Sequence, residues 1–230
     1  MKNYILCKII GYIKKEDFQI DPNIPPARVI GLIISKGISL FSGCWKLRRI
    51  GKYSIGFSTV IKSPYKIQTS GGIIIDKKCH IDALSSEGIQ FGRNVSIGKY
   101  TTIECTGSLR HLGKGLTVGN NVGMGTHGFF GCAGGIKIGD DTIFGNYVSL
   151  HAENHNYSDA TLPIRLQGVN HKGISIGKNC WIGAKTTILD GTKLGDGCIV
   201  AAGAVVRGEF PDNVIIGGVP AKIIKNRFDE

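Results

Sequence analysis

The chain has 230 residues, 42% of them hydrophobic, and carries 34 glycines, seven cysteines and a formal net charge of +11. This length and apolar content allow one sizeable hydrophobic core, alone or with an appendage. The odd number of cysteines argues against a disulfide framework. No 18-residue apolar run is free of charge, and no N-terminal segment has the order of a cleavable signal peptide, so we expect a cytoplasmic location.

The positive charge is concentrated near the N-terminus. Residues 1–53 hold ten Lys/Arg against three Asp/Glu, whereas residues 54–230 hold eighteen against fourteen. Aromatic side chains are not interleaved with these cations, so the pattern does not favour nucleic-acid binding. The basic character therefore belongs mainly to one terminal segment.

The first predicted element is the apolar and basic segment 27–50. Residues 1–26 before it end at a pair of prolines and indicate no function. We expect residues 27–50 to form one or two helices, in spite of three glycines. Lys36 lies too centrally for an easy membrane span, but a basic, apolar segment with Trp45 near one end suits the anionic inner face of a membrane. The alternative is a cap over the open end of the core, and the two roles are compatible.

From Ile55 onward a large apolar residue returns in steps of six. The step is interrupted by residues 105–115, which should form a loop, and it fails over residues 151–173. It is strictest from Ile176 to Val206. The residues at this position include Ile55, Ile61, Ile75, Ile81, Phe91, Ile97, Ile103, Val118, Met124, Phe130, Ile138, Phe144, Leu150, Ile176, Ile182, Ile188, Leu194, Val200 and Val206. Neither the helical period nor the strand period of two explains this spacing.

A small residue follows four positions after the large one. The clearest cases are Cys79, Cys180, Thr186, Thr192, Cys198 and Ala204. One large and one small inward residue in every six, with Gly or Ala beside the large one, describe a short strand and a corner that repeat along the chain. The sequence therefore predicts an all-β solenoid in which these cysteines are core residues.

This repeat resembles that of the hexapeptide-repeat acyltransferases, which fold as a left-handed parallel β-helix. The resemblance covers about 54–217 as repeats and 116–222 in closer motif detail. It implies three hexapeptides per coil and a left-handed crossover, which parallel strand connections otherwise almost never adopt. It divides the chain into an N-terminal helical extension over 1–53, a β-helix with an excursion at 151–173, and a short tail or helix over 218–230.

The excursion holds half of the histidines, and insertions into a solenoid commonly carry its function. The stretches IGDDTIFGNYVSLHAENH and PIRLQG resemble sugar O-acetyltransferases. This implies that His155 is the general base, acetyl-CoA the donor, and a hydroxyl of a sugar or surface polysaccharide the acceptor. Imidazole has an unperturbed pKa of about 6.5 and can accept the hydroxyl proton near neutrality. Either Glu153 or Asp159 would orient His155, and the sequence does not choose between them.

Further residues are candidates for binding the acceptor. His127, in MGTHGFFG, matches a position that faces the acceptor in the family, where Asn is usual. His151, Gln167 and Trp181 complete the set. Trp181 precedes an inward residue and must point outward, so we expect a partner subunit, the excursion or the ligand to cover it.

The donor is expected to lie along small residues. Ala184 and Ala202 are eighteen residues apart and should stack one above the other. The resemblance implies that the pantetheine arm of coenzyme A reaches the backbone amides of Gly183, Ala184 and Ala202. It also implies that Lys222 and Lys225, in and after GGVPAK, face the phosphates as point charges, and that the active sites lie between the subunits of a homotrimer.

Three other interpretations compete with this one. The first is an N-acyltransferase that acts on an amino sugar or nucleotide sugar. The second is a zinc enzyme of the hexapeptide carbonic anhydrase class, but His127 and His151 are 24 residues apart and fall on different faces of ideal coils, so no metal is expected. The third is a non-catalytic solenoid scaffold.

Overall fold

The computed structural model describes residues 20–21, 23–108 and 111–229. Most of the predicted lead-in, residues 1–26, lies outside this part. Within it the chain forms a long helix, α1 (Pro26–Leu47), followed by short strands and by 3₁₀ turns at Pro64–Lys66 and Ile164–Leu166. The predicted helix is therefore confirmed as a single helix over 27–47, and residues 48–50 lie beyond its end.

The strands follow one another in chain order. They are β1 (Tyr53–Ile55), β2 (Val60–Lys62), β3 (Ile67–Thr69), β4 (Ile73–Ile75), β5 (His80–Asp82), β6 (Ile89–Phe91), β7 (Val95–Ile97), β8 (Thr102–Glu104), β9 (Leu116–Val118), β10 (Gly123–Met124), β11 (Phe129–Gly131), β12 (Ile136–Ile138), β13 (Ile143–Phe144), β14 (Ser149–His151), β15 (Asn154–His155), β16 (Val169–Asn170), β17 (Ile174–Ile176), β18 (Trp181–Ile182), β19 (Thr187–Leu189), β20 (Lys193–Leu194), β21 (Ile199–Val200), β22 (Val205–Val206), β23 (Glu209–Phe210), β24 (Val214–Gly218) and β25 (Ala221–Asn226).

The strands stack into three sheets that form the sides of a coil. Sheet A contains β1, β4, β7, β10, β13, β18, β21, β24 and β25; sheet B contains β2, β5, β8, β11, β14, β19 and β22; sheet C contains β3, β6, β9, β12, β17, β20 and β23. Trp181 pairs in parallel with Ile199, eighteen residues further along, so three hexapeptides make one coil there. The predicted left-handed parallel β-helix is confirmed.

The core is built from the two inward positions of each hexapeptide. Ile182, Ile188 and Val206 are fully buried, and across successive coils Ile182 pairs with Val200 and Ile188 with Val206. Each such side chain contributes about 1.5–3 kcal/mol by its burial. The small inward residues are buried as well. Where such a residue is polar its hydroxyl is bonded, as when Thr192 Oγ1 donates to the carbonyl oxygens of Leu189 and Val206 at 2.6 and 3.1 Å.

Successive coils turn from sheet A to sheet B at what we call the AB corner. Here Tyr100, His127, Tyr147 and Lys185 all adopt left-handed backbone conformations, with φ between 58° and 61°, and Gly203 takes the same conformation in the last coil. Non-glycine residues seldom adopt this conformation. Its repetition in coil after coil places side chains of different coils in one column.

Helix α1 caps the solenoid with its last turns alone. Leu47 is buried in the core, and Gly43 packs so closely on the backbone of Tyr53 that a Cβ would not fit. Lys46 Nζ donates to the carbonyl oxygen of Thr59 at 2.6 Å. Most of the preceding helix, from Ile30 to Ile38, is exposed. The expected cap therefore accounts for one end of the helix.

The C-terminal segment differs from the tail or short helix expected for 218–230. Strand β25 turns back and pairs antiparallel with β24, Ile216 lying opposite Ile223. A β-branched pair after a Gly-Gly-Val-Pro turn favours a hairpin over a helix. The hairpin extends sheet A and covers the edge that β24 would otherwise leave open.

Candidate functional site

The predicted excursion leaves the solenoid after β14 in sheet B and rejoins it at β17 in sheet C. It therefore projects from the corner between these two sheets, which we call the BC corner. Its base is a short hairpin in which Asn154 pairs with Asn170, and His155 with Val169. We call this hairpin, β15 and β16, the neck of the excursion.

His155 lies on the paired backbone of the neck and its side chain is exposed. Asn156, the next residue, donates from its backbone nitrogen to Gly168 O and from Nδ2 to Gln167 O, both at 3.0 Å. Among the described residues, the His155 imidazole has no hydrogen-bond partner. A histidine whose backbone is fixed and whose ring nitrogens are free can take a proton from a bound ligand.

Gln167 is occupied by the excursion itself. Its Oε1 accepts from Asp159 N at 3.0 Å, and its Nε2 donates to the carbonyl oxygens of Asp159 and Leu162 at 2.7 and 2.8 Å. The amide that was expected to contact the acceptor thus holds the far part of the excursion together. An acceptor could reach it only by displacing one of these bonds.

Neither carboxylate expected to orient His155 contacts it in the described part of the chain. Asp159 Oδ1 accepts from the backbone and hydroxyl of Thr161 at 2.8 and 2.6 Å, and these bonds lower the pKa of Asp159. Glu153 Oε2 lies 3.9 Å from His171 Nδ1. The imidazole of His155 is therefore positioned through its backbone in this structure.

His151 is the last residue of β14 and lies on the outer side of sheet B. Its ring is 5.3 Å from that of Phe129 in a tilted arrangement. Partial burial lowers the pKa of His151 and so favours its neutral form. It is the second histidine near the excursion that can accept a hydrogen bond.

His127 lies at the AB corner, within an aromatic column. Its ring stacks on Tyr100 at 4.8 Å and on Tyr147 at 4.6 Å, and its Nδ1 is 3.0 Å from Thr126 Oγ1. The two tyrosines were missed by the sequence analysis. Their only signal is that each precedes a strand of sheet B by the same interval as His127, so the left-handed position stacks them.

Ala184 and Ala202 stack at the same corner, as predicted, because β18 and β21 pair eighteen residues apart. One coil earlier, Asn146 Oδ1 accepts from Thr126 N at 3.0 Å and so caps the coil beneath it. Alanine has no such acceptor. Among the described residues, the amides of Asn146 and Ala184, which lie beneath the two alanines, consequently have no hydrogen-bond acceptor.

We give the name ledge to the small residues Gly183, Ala184 and Ala202, which lie beside the free N–H groups of Asn146 and Ala184. The N–H of Gly183, predicted to be one of the open amides, instead donates to Val200 O at 2.8 Å. Gly183 is buried so tightly against Ala202 N and Val200 O that a Cβ would lie 2.5 and 2.7 Å from them. The ledge thus offers small side chains and open donors along two coils. An extended amide-containing chain could lie here and pair with the backbone.

The other predicted residues surround this corner. Trp181 points outward from sheet A between Ile143 and Ile199 and is 53% exposed. Lys222 and Lys225 lie on β25 with exposed side chains, and Lys225 Nζ donates to Asp229 O at 2.8 Å. Over the residues that the structure describes, no three His, Cys, Asp or Glu side chains are grouped so that they could hold a metal ion.

The predicted residues thus fall into two groups. His127, Trp181 and the ledge lie at or beside the AB corner, whereas His151, His155 and Gln167 lie at or beyond the BC corner. Sheet B separates the groups, and each of its strands is up to three residues, or about 10 Å, long. Within one chain the structure does not show His155 against the ledge.

The chain is similar in sequence to a hexapeptide-repeat family profile and to proteins named as acetyltransferases. A family profile described as "Hexapeptide repeat of succinyl-transferase" matches residues 173–207. A protein of Mycobacterium tuberculosis named a probable acetyltransferase is 36% identical over 163 residues, which is 70% of this chain and 52% of that protein. The galactoside O-acetyltransferase of Escherichia coli is 32% identical over 95 residues, 41% of this chain and 45% of that protein.

A solved structure is similar in fold. It is an N-acyltransferase from Bacillus cereus in complex with dTDP and 3-hydroxybutyryl-CoA, with a TM-score of 0.56 and 25% identity, covering 75% of this chain and 84% of that chain. The present chain spans about half the length of the curated relatives it matches. The residues that the family profile matches, 173–207, include the whole ledge.

Proposed function

Because the chain belongs to the hexapeptide-repeat acyltransferases, we propose that it is an acetyl-CoA-dependent O-acetyltransferase acting on a hydroxyl of a sugar or surface polysaccharide. The observation that carries this proposal is His155, an exposed histidine on the paired backbone of the neck, whose ring has no hydrogen-bond partner in the described part of the chain. The similarity to a galactoside O-acetyltransferase supports the choice of a sugar hydroxyl.

In the proposed reaction the acceptor hydroxyl attacks the thioester carbonyl directly. His155 accepts the hydroxyl proton while the new C–O bond forms, which places the developing positive charge on an exposed imidazole. Collapse of the tetrahedral intermediate breaks the C–S bond, and the proton then passes to the departing thiolate. The products are the acetyl ester and coenzyme A, and no acyl-enzyme is required.

The ledge is proposed as the donor site. Coenzyme A carries two amides in its pantetheine arm, and the open N–H groups of Asn146 and Ala184 match the carbonyl oxygens of such a chain. Exposed Lys222 and Lys225 would lie towards the phosphates. A backbone N–H of a neighbouring coil can donate to the oxyanion of the tetrahedral intermediate, and the ledge supplies groups of this kind.

We propose that the active unit is a homotrimer. The ledge and His155 occupy different corners of one chain, so a partner chain that brings its BC corner to this AB corner would complete the site. The exposed apolar residues support an interface at these places. They are Ile143 and Trp181 on sheet A, and Leu162, Ile164 and Leu166 in the excursion.

We also propose that α1, within residues 27–50, contacts the inner face of a membrane. Five of its exposed apolar residues recur at intervals of four, four, three and four and so share one face, whereas Leu32 is exposed on the opposite face; the five are Ile30, Ile34, Ile38, Phe41 and Trp45. Arg48, Arg49 and Lys52 follow at one end and complement anionic headgroups. By length and composition α1 could also cross a bilayer, in spite of Lys36.

Vesicle flotation tests this contact. The wild-type protein should float with vesicles that contain phosphatidylglycerol, and Phe41→Glu should abolish flotation because it places a charge in the apolar stripe. Leu32→Glu, on another face of the helix, is the matched control and should still float. If Phe41→Glu instead changes the oligomeric state and leaves flotation intact, the stripe binds another copy of the chain and the membrane proposal is wrong.

N-acylation of an amino sugar or nucleotide sugar is the second candidate. It is favoured by the similarity to the N-acyltransferase complex with dTDP and 3-hydroxybutyryl-CoA. Both reactions use the same donor and need a base at the attacking atom. The acceptor is a hydroxyl in the first reaction and an amine in the second, so the product is an ester in one case and a more stable amide in the other.

The test is release of free thiol from acetyl-CoA in the presence of a panel of neutral sugars, oligosaccharides and amino sugars. The O-acetyltransferase proposal predicts release with hydroxyl acceptors and a product that hydroxylamine cleaves. A hydroxylamine-resistant product formed with amino sugars alone would support the second candidate. A scaffold would release no thiol with any acceptor.

A further inference from the structure

Asp190 is a buried carboxylate that neither the sequence analysis nor the proposed chemistry uses. It follows β19, in the coil that comes after the excursion, and is 3% exposed. Within the described part of the chain no Lys, Arg or His side chain pairs with it. A buried carboxylate is stable only where hydrogen bonds replace its hydration, so its partners indicate what it holds.

All the partners of Asp190 belong to the two ends of the excursion. At the returning end, Oδ1 accepts from Gly173 N at 2.7 Å, and both oxygens lie 2.9 Å from Lys172 N. At the departing end, Oδ2 accepts from Asn154 Nδ2 at 3.2 Å. One side chain of the solenoid therefore ties together two segments that are 18 residues apart in sequence.

The contact with Asn154 leads directly to His155. Asn154 precedes His155 in β15, and both are paired with β16. Fixing the side chain of Asn154 fixes the position of the neck relative to the solenoid, while Lys172 and Gly173 are held by the same carboxylate. The polypeptide also connects the neck to the solenoid at its two ends, through β14 before it and β17 after it.

We propose that Asp190 is a positioning residue that sets the place of His155 by anchoring the neck, without touching substrate. This inference rests on the proposed function, because it assigns His155 the role of base. Hydrogen bonds to a charged acceptor are stronger than neutral ones. An error of about 1 Å in a catalytic group can cost 100-fold in rate.

Asparagine at this position should not replace the carboxylate. Its single oxygen can accept from Gly173 N, but its Nδ2 would lie beside the backbone N–H of Lys172, which is 2.9 Å from both oxygens of Asp190, and two donors do not bond. The Asp190→Asn variant keeps the size of the side chain and should keep the fold. Asn154→Ala removes the other partner of the same bond from outside the buried corner.

The experiment combines three measurements on the full chain: the rate of thiol release, the affinity for coenzyme A, and hydrogen exchange over residues 151–173. Asp190→Asn should lower kcat about 10- to 100-fold, leave the dissociation constant for coenzyme A unchanged, and speed exchange in the excursion. Asn154→Ala should act in the same direction. The double variant should be no worse than Asp190→Asn, because the two residues share one interaction.

Asp196→Asn is the matched control. Asp196 Oδ1 accepts from the backbone nitrogen of Lys178 at 2.7 Å, which also joins two coils, but it touches no part of the excursion. This variant should keep the wild-type rate and exchange. If it lowers kcat as much as Asp190→Asn, the effect is a general one of the solenoid and the proposal is wrong.

Two further results would overturn the proposal. One is unchanged exchange over the excursion in both Asp190→Asn and Asn154→Ala. The other is an unchanged kcat in Asn154→Ala, which decides the matter if Asp190→Asn unfolds. If the wild-type protein releases no thiol with any acceptor while exchange in the variants rises as expected, the proposed function fails and the anchoring by Asp190 stands.

Discussion

The AB corner and the neck of the excursion hold the two halves of the proposed site in different ways. At the AB corner the same left-handed backbone conformation recurs in successive coils, so the position of His127 or Ala184 follows from the register of the sheets. The neck has no such register. It is tied to the solenoid by the single side chain of Asp190, while Gln167 holds the far part of the excursion together.

The difference shows how the solenoid divides its work. The repeating AB corner suits an extended acyl donor such as acetyl-CoA, because successive coils can present open N–H groups at regular intervals. The excursion, which has no repeat, suits the acceptor chemistry, because it can place a catalytic side chain at a position that the repeating coils do not offer. Stability should divide in the same way, with the coils opening last in hydrogen exchange and the excursion first.

The comparison is tested most strongly at His155. Replacing it by alanine should lower the rate of acetyl transfer about 100- to 10,000-fold, since the general base is lost, while coenzyme A binding at the ledge is unchanged. Thiol release and a binding titration measure the two quantities. His171→Ala, in the same excursion and with its Nδ1 3.9 Å from Glu153 Oε2, should stay near the wild-type rate. An equal loss in both variants would show that neither acts as a specific base.

A smaller effect is expected at the ledge. Ala202→Asn should place an amide oxygen over Ala184 N, as Asn146 does over Thr126 N, and so fill the ledge and occupy its donor. We expect the dissociation constant for coenzyme A to rise about tenfold, the cost of one hydrogen bond, with no loss of thermal stability.

The control for this variant is Lys193→Asn in sheet C, which breaks an exposed ion pair with Glu209 at 2.8 Å. Such a pair contributes at most about 1 kcal/mol, and its loss should leave coenzyme A affinity unchanged. If Ala202→Asn binds coenzyme A as tightly as the wild type, the donor lies elsewhere on the solenoid.

Much of the solenoid and its ledge could be predicted from the sequence. The six-residue step gives the inward residues, the eighteen-residue spacing stacks Ala184 over Ala202, and both follow from one geometrical rule. The excursion could be located only because the six-residue step stops over residues 151–173. His155 was identified by resemblance, and its placement on a paired neck depends on contacts between residues that have no fixed spacing.

Asp190 and the C-terminal hairpin show the limits of prediction from sequence. Asp190 lies at an ordinary corner position, and nothing in its spacing indicates that its oxygens reach two ends of a loop. The segment 218–230 has no periodicity of its own, so the fold of Ile223 and its neighbours depends on the open edge of β24. Tertiary contacts decide such positions.

A loss of kcat smaller than that at His155 is expected when Gln167, which holds the far part of the excursion together, is replaced. Gln167→Ala removes three hydrogen bonds within the excursion, and we expect faster hydrogen exchange there and a loss of a few-fold in kcat. The KM for the acceptor should change little. A raised KM with unchanged exchange would mean instead that Gln167 binds the acceptor, as the sequence alone suggested.

The smallest effect concerns His151. Burial lowers its pKa, so the unfolded chain binds the proton more readily than the folded protein. The free energy of unfolding should therefore fall as the pH drops below about 6.5, the unfolded value. Urea unfolding at pH 7.5 and at pH 5 measures this loss. His151→Gln should reduce it, and an equal loss in both proteins would contradict the assignment.

The central claim is that the ledge of one chain and His155 of another form one site. Its most direct test is the activity of mixed oligomers made by co-expressing His155→Ala with Ala202→Trp, each inactive by itself. With random assembly about a quarter of the interfaces in a cyclic oligomer would combine an intact ledge with an intact His155. The account predicts recovery of about that fraction of wild-type activity. No recovery, in oligomers shown to contain both chains, would contradict it.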